Sequence, residues 1–232
     1  MATKAGIGRV GSKSNPAGSG RRRAPGRPVA GQRDQREALI DAARDLFSAH
    51  GVAATTVAQV ARAAKVTPAL ASYYFGDKLG LLEAVLEHRV LPLVQGLGAA
   101  VRAAGPEPRP SLVAFVRRYT ATAAANPWLP QLIVREVLST GGALREAFPR
   151  RFAGDMTATL AAVVHAGQQR GEIRADLDTS SLVMSIVSLC VFPFLATPLV
   201  NGALGIDTSP ASASALAEHH LAVLLDGIGI PS

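Results

Sequence analysis

The sequence predicts an all-α protein, with a small N-terminal helical unit followed by a larger helical domain. Three observations carry that expectation. Apolar residues recur at helical spacing along most of the 232 residues, and no segment shows the strict alternation of a half-buried strand. Breakers such as Gly105-Pro106-Glu107-Pro108 and Gly141-Gly142 cut this pattern into helix-sized pieces. Apolar residues make up 48% of the chain, enough to fill the core of one ordinary domain or two small ones.

Residues 1–33 stand apart. They hold Lys4, Arg9, Lys13, Arg21, Arg22, Arg23, Arg27 and Arg33 with no acid, while the other 16 basic residues face 17 acidic ones. The net charge of +7 therefore belongs to this arm and not to a basic globule. Its Gly, Ser, Pro and Ala content predicts disorder in isolation. A basic arm beside a nucleic-acid-binding unit adds salt-sensitive phosphate contacts, and Arg27 within Gly26-Arg27-Pro28 suits entry into a minor groove. A solubilising tail is the alternative. No apolar run follows the basic residues, so the arm does not read as a secretory signal.

Residues 51–82 carry the strongest local signal. Thr56 and Gln59 have capping-box spacing ahead of a helix whose Val57, Val60, Ala61 and Ala64 share one face. The small Ala58, Ala61 and Ala64 let a second helix approach closely. Thr67 can cap that second helix, and Pro68 suits its first turn, where a missing N–H costs nothing. Asp77 can cap a third. The pattern is a helix-turn-helix, whose second helix fits the DNA major groove. That helix presents Thr67, Pro68, Ala69, Ser72, Tyr73 and Tyr74 outward, with hydroxyls for phosphates or base edges and small residues for close approach. Lys78 in the first turn of the next helix is unfavourable for the helix dipole, which an outside phosphate would explain. An ordinary helical hairpin with half-buried tyrosines is the alternative.

Residues 34–90 resemble the DNA-binding domain of the TetR family of transcriptional regulators. The matching elements are Ala42-Ala-Arg-Asp-Leu-Phe-Ser-Ala-His-Gly51, Thr55-Thr-Val-Ala-Gln-Val-Ala, Ala64-Lys-Val-Thr-Pro-Ala-Leu, Tyr73-Tyr-Phe-Gly-Asp-Lys-Leu and Leu81-Leu, in order and at the family's spacing. The resemblance implies a three-helix helix-turn-helix domain over 34–82 and a helical ligand-binding and dimerisation domain over 83–232. It implies a phosphate contact for Thr56, base contacts for Thr67, Pro68, Ala69 and Leu70, and backbone contacts for Tyr73, Tyr74 and Lys78. Val66, Ala71 and Phe75 would hold the unit's core. Three positions depart from the family's usual residues: Lys65 for Gly, Ser72 for Tyr, and Tyr74 for His. The last two leave the base preference open. Lys65 implies either a turn that does not need a positive φ or a tolerance that lysine lacks.

From residue 83 onward the reading is helix after helix. One runs from Asp77 to about Ala104, kinked or divided at Pro92. Others fit Ser111 to Ala125, Pro127 to Ser139, a long one that follows the break at Gly141-Gly142 and runs to about Arg170 with a disturbance at Phe148-Pro149, Thr179 to Thr197, and Pro210 to Gly227. Thr179 to Ile206 contains no charge and is long enough to cross a bilayer, but it holds four serines, two prolines and Asn201, and no basic cluster flanks it. Burial by both its own domain and a partner subunit also accounts for it. The resemblance implies a homodimer through about 179–197 and 210–227, with Val187 and Leu224 as places where an added charge would break it. A two-fold dimer demands a roughly palindromic operator.

No phosphate loop, nucleophile elbow or metal-ligand spacing is present, and the adjacent His219 and His220 point different ways on a helix. The expectation is a chain without catalytic residues, metal or cofactor. Small-molecule sites are mostly apolar with a few fixed polar groups. Phe115, Tyr119, Trp128, Phe148, Phe152 and Met156 are candidate walls of such a site, and Arg135, Glu136 and His165 candidate handles. Competing readings stay open: an ion pair for Arg135 and Glu136, a helix-start staple for Trp128, and a surface or core position for His165. The single cysteine, Cys190, fits a reducing cytoplasm and a buried, inert thiol; redox sensing is the alternative. The resemblance implies a homodimeric regulator, a repressor released from double-stranded DNA by a small-molecule effector; the apolar candidate walls point to a lipophilic or aromatic one, and the single cysteine to the cytoplasm. A dimer without an effector, or a membrane-tethered regulator, would share the same N-terminal unit.

Overall fold

The computed structural model describes Met1 and residues 30–228, with backbone alone for 30–33. Among the described residues every regular element is helical. Helix α1 (Ala30–His50) buries Leu39, Ile40, Ala43 and Phe47 along one face. It begins inside the stretch assigned above to the basic arm, because the charge boundary at Arg33 is not a helix boundary. The remainder of that arm, Arg27 included, lies outside the described residues. Gly51, at φ +86°, closes α1 with its N–H on the Phe47 carbonyl at 2.9 Å.

The helix-turn-helix follows. Helix α2 (Val57–Ala63) is capped by Thr56 in a complete capping box: Gln59 N donates to Thr56 Oγ1 at 3.2 Å, and Thr56 N to Gln59 Oε1 at 2.8 Å. Helix α3 (Pro68–Phe75) starts at Thr67, whose hydroxyl accepts from Leu70 N at 3.3 Å. Val60, Ala61 and Ala71 are buried between them, with Val66 and Phe75 packed alongside. Ala58 is exposed and takes no part in the helix approach expected of it.

Lys65 overturns one expectation. Its φ is +57°, the left-handed region, and the turn needs that value. Val66 N reaches back to Ala61 O at 2.9 Å and Lys65 N to Arg62 O at 3.1 Å. These are the two bonds of a Schellman ending, which requires a left-handed residue between them.

Helix α4 (Lys78–Val85), capped by Asp77 through Leu79 N and Gly80 N, runs through a π turn (Leu86–Val90) into α5 (Leu91–Ala103). The irregularity expected at Pro92 is this wider turn just before it. Helix α6 (Pro108–Ala125) starts earlier than Ser111, since its prolines sit in the first turn. Helix α7 (Trp128–Ile133) ends in a second π turn (Val134–Leu138). The helix expected from Gly141-Gly142 onward starts later: residues 141–146 form turns, then a third π turn (Pro149–Ala153) leads into α8 (Gly154–Gln169). A Cβ at Gly142 would run into the Glu136 backbone, so the chain closes on Glu136 instead of coiling at once. Helices α9 (Thr179–Leu195) and α11 (Ala213–Ile228) are near their expected bounds, and α10 (Thr197–Leu204) between them was not expected.

Two cores result. One is built by α1–α4 and borrows Leu132, Leu144 and Phe152 from beyond residue 83. The other is centred on α6, which packs against α5, α8, α9 and α11. No single described helix is long and apolar enough to cross a membrane, and α9 and α10, which pass together, are bent by 78°. Val187 is half-buried and Leu224 buried within the protomer, so neither belongs to an outward face; Met184, Phe192 and Val223 do. Cys190 is fully buried, and burial pushes its thiol up to about 12, which leaves it a poor nucleophile.

The Lys65 geometry gives a direct expectation. A left-handed φ costs a side-chain-bearing residue ~1–2 kcal/mol, and the extra chain entropy of glycine returns roughly 0.5–1 kcal/mol of that. Lys65→Gly should therefore raise stability by up to about 1 kcal/mol. Chemical denaturation measures it, and a less stable variant would mean that the lysine side chain contributes more than its backbone loses.

Candidate functional site

The outward side of the helix-turn-helix is polar, accessible and free of acid. Residues 51–76 contain no Asp or Glu, and the nearby Asp77 is occupied as a cap. Thr56, Thr67, Pro68, Ala69 and Ser72 are exposed, Leu70 and Tyr74 half-buried, and Tyr73 is 79% exposed. A tyrosine so open adds nothing to the core and leaves its hydroxyl for a partner. The Tyr73 ring meets Tyr74 edge-on at 5.5 Å, while Tyr74 packs on the core. Lys78 Nζ donates to the Ala53 carbonyl at 3.0 Å, which fixes the loop entering α2 and puts a cation beside α3. Arg62 and Lys65 are exposed and have no ion pair among the described residues. Sequence reading missed these two as candidate phosphate contacts, although the acid-free run around them was a usable signal.

The junction behind this unit is polar. Glu136 is buried, and its two carboxylate oxygens serve different halves: Oε1 accepts from Val52 N at 2.7 Å and Oε2 from Ala143 N at 2.9 Å. Arg135 Nε donates to the Ser48 carbonyl at 2.9 Å, in the last turn of α1, where carbonyls lack intrahelical partners. The ion pair considered for these residues therefore does not form; both bind backbone. Arg89 donates to Asp41 at 2.8 Å and Glu37 at 2.9 Å on α1. Arg151 forms a two-pronged pair with Glu83 at 2.6 and 2.9 Å, which holds the Glu83 carboxyl below the usual carboxylate range. Sequence separations this long carry no local signal, so these bridges were not legible beforehand.

Above the junction lies an apolar cavity of about 280 Å³. Its walls come from α5, α6, α7, the start of α8, and α9. Tyr119, Phe148, Phe152 and Met156 line it together with Leu129, Ile133, Val191 and Phe194. The other candidates sit elsewhere. Phe115 is fully buried in the core under Tyr119, at 5.8 Å between rings. Trp128 stacks beneath the Arg44 guanidinium at 5.6 Å and donates to Asn126, against α1. His165 is exposed beside Gln169. Arg135 borders a separate, more polar groove of about 710 Å³ with Asn201 and Asp207. No charged residue lines the apolar cavity, and among the described residues no cluster of His, Cys, Asp and Glu could hold a metal.

Comparison with known proteins agrees with this arrangement. Residues 39–85 match the family described as bacterial regulatory proteins, tetR family, and residues 108–224 match the tetracyclin repressor-like C-terminal domain. The HTH-type transcriptional regulator BetI of Paraburkholderia xenovorans is 43% identical over 90 residues, which is 38% of this chain and 46% of BetI, so the match spans under half of that relative. The HTH-type transcriptional repressor NicS of Pseudomonas putida is 28% identical over 184 residues, covering 78% of this chain and 85% of NicS. The solved ketosteroid transcriptional regulator KstR2 of Mycobacterium tuberculosis superposes with a TM-score of 0.68 at 18% identity, over 85% of this chain and 96% of that one. At that identity the likeness concerns the fold.

Glu136 can be tested on its own. Glu136→Gln keeps the shape but turns an NH₂ group toward one of the two amides. Loss of one bond to a charged acceptor should cost about 1.5–3 kcal/mol. A lowered thermal midpoint is expected, and an unchanged one would show that the carboxylate does not hold the junction.

Proposed function

We propose that this chain, which belongs to the TetR family of bacterial regulatory proteins and is a DNA-binding transcriptional regulator, works as a cytoplasmic homodimeric repressor released from its operator by a small apolar molecule. The observation that carries the DNA side is the acid-free, exposed face of α3 beside Arg62, Lys65 and Lys78. On this reading Thr67, Pro68, Ala69, Leu70 and Ser72 meet base edges, and Thr56, Tyr73, Tyr74 and Lys78 meet phosphates. The arm with Arg27 adds phosphate contacts with little sequence choice.

The dimer uses the outward faces of α9 and α11. Met184 at 63%, Phe192 at 54% and Val223 at 54% exposure are the apolar residues that support it. The cavity is the effector site. It shares a helical segment with the junction: Ile133 and Leu138 line the cavity, while Arg135 and Glu136 between them bond α1 and the loop after it. A molecule that favours a different setting of this segment moves the DNA-binding unit with it.

Two experiments test the reading. Operator DNA selected from a random pool should bind the wild-type chain with a steep salt dependence. Lys78→Ala should weaken selected and unrelated DNA alike and flatten the log–log slope by about one phosphate contact. An unchanged slope would remove Lys78 from the interface. For the dimer, Phe192→Asp places an unpaired charge at the proposed contact and should give monomers by sedimentation, without operator binding. A variant that stays dimeric would put the interface elsewhere.

A further inference from the structure

We propose that the effector is an uncharged, predominantly apolar molecule carrying one hydrogen-bond acceptor, which the hydroxyls of Tyr119 and Thr122 on α6 receive. This rests on the reading of the cavity as the effector site and narrows its chemistry.

The exclusion comes from the walls. They contain no Lys, Arg, His, Asp or Glu, so a carboxylate, phosphate or ammonium group entering the cavity would lose its water and find no counter-charge. The positive requirement comes from two donors. Tyr119 and Thr122 stand three residues apart on α6, on one side of the helix, and both line the cavity. Neither hydroxyl makes a hydrogen bond among the described residues. Thr157, the remaining hydroxyl in the wall, already donates within its own turn to Ala153 and Gly154 carbonyls. Both residues are half-buried, and two hydroxyls without a hydrogen-bond partner in an otherwise apolar wall offer donors to a carbonyl, ether or hydroxyl oxygen. Burial pushes the Tyr119 phenol well above its ordinary value, so it remains a neutral donor across the physiological range. A volume of about 280 Å³ is at the low end for ligand sites, which favours a molecule smaller than a typical drug.

The probe is prodan, a neutral naphthyl ketone whose emission shifts to the blue in apolar surroundings. Three competitors of similar size separate the chemistry: butyrophenone (neutral, one acceptor), butylbenzene (neutral, none) and phenylbutanoate (an anion). The full-length wild-type chain should shift the prodan emission, and butyrophenone should displace it at least ~10 times more tightly than phenylbutanoate. Tyr119→Phe should weaken butyrophenone by about five- to tenfold and leave butylbenzene unchanged, with Thr122→Val acting in the same sense. Val191→Trp, or Met156→Phe should that chain fail to fold, fills the cavity and should abolish the shift. A shift that survives the filled cavity would place prodan elsewhere and overturn the effector-site reading along with this one. Loss of the shift on filling, together with equal competition by phenylbutanoate, would leave the site standing and overturn the proposed ligand class. Equal effects of Tyr119→Phe on butyrophenone and butylbenzene would overturn the role of the hydroxyls.

Discussion

The Glu136 carboxylate lies buried between two backbone amides that belong to different parts of the chain. Val52 N comes from the loop after α1, and Ala143 N from the turn that follows the second π turn. Neither amide has a helical partner, and a buried N–H without an acceptor is costly. One carboxylate satisfies both, and the two amides together offset the cost of burying its charge. The consequences run outward along the chain. Val52 fixes the loop 51–56, within which Thr55 Oγ1 closes onto the Gly51 carbonyl at 2.8 Å and Ala53 receives Lys78. That loop delivers Thr56 as the cap of α2, and α2 supports α3. The position of α3 is thereby tied to a side chain on the helical segment that walls the cavity.

The same division of labour recurs at the other two π turns. A π turn carries one residue more than an α turn, so it resets which side chains face which way. In the first, Val90 lines the cavity while Arg89 bonds α1. In the second, Leu138 lines the cavity while Arg135 and Glu136 bond the end of α1 and its loop. In the third, Phe152 lines the cavity while Arg151 bonds Glu83 on α4. Neighbouring residues on a helix point about 100° apart, so one short segment can serve both a wall and a junction, and the extra residue of the π turn sets which side chains do which. The widened turns let an apolar wall and a polar junction share three short segments.

How much of this was legible depended on whether the physics was local. Capping at Thr56, Thr67 and Asp77 was readable because a cap acts across three residues. The cavity walls were readable in part. Tyr119, Phe148, Phe152 and Met156 follow from apolar helical spacing, but the same spacing holds for Phe115, which faces the core. Spacing gives a face, and only packing decides what the face meets. Lys65 misled because the residue type argued against a left-handed turn, and two backbone bonds overruled it. Arg135 and Glu136 looked like an ion pair because they are adjacent charges in an apolar helix. Two of their three backbone partners, Ser48 and Val52, lie more than 80 residues away, and sequence offers no way to pair a side chain with an anonymous backbone group.

Magnitudes decide whether such a junction can act as a switch. Moving a two-state equilibrium from one per cent to ninety-nine needs a ligand with about 5.5 kcal/mol of preference for one state. A ligand of micromolar affinity has about 8 kcal/mol in total, so most of its binding would have to distinguish the two settings. The two bonds of Glu136, at ~1.5–3 kcal/mol each as bonds to a charged group, fall in the same range. With the bonds of Arg135, Arg89 and Arg151 added, an effector would have to leave most of the junction intact and shift only part of it. The apolar cavity suits this balance, because burying hydrocarbon is non-directional and can be gained in one packing of the walls and lost in another. On the proposed reading, the polar groups of the junction would set the positions between which that gain is realised.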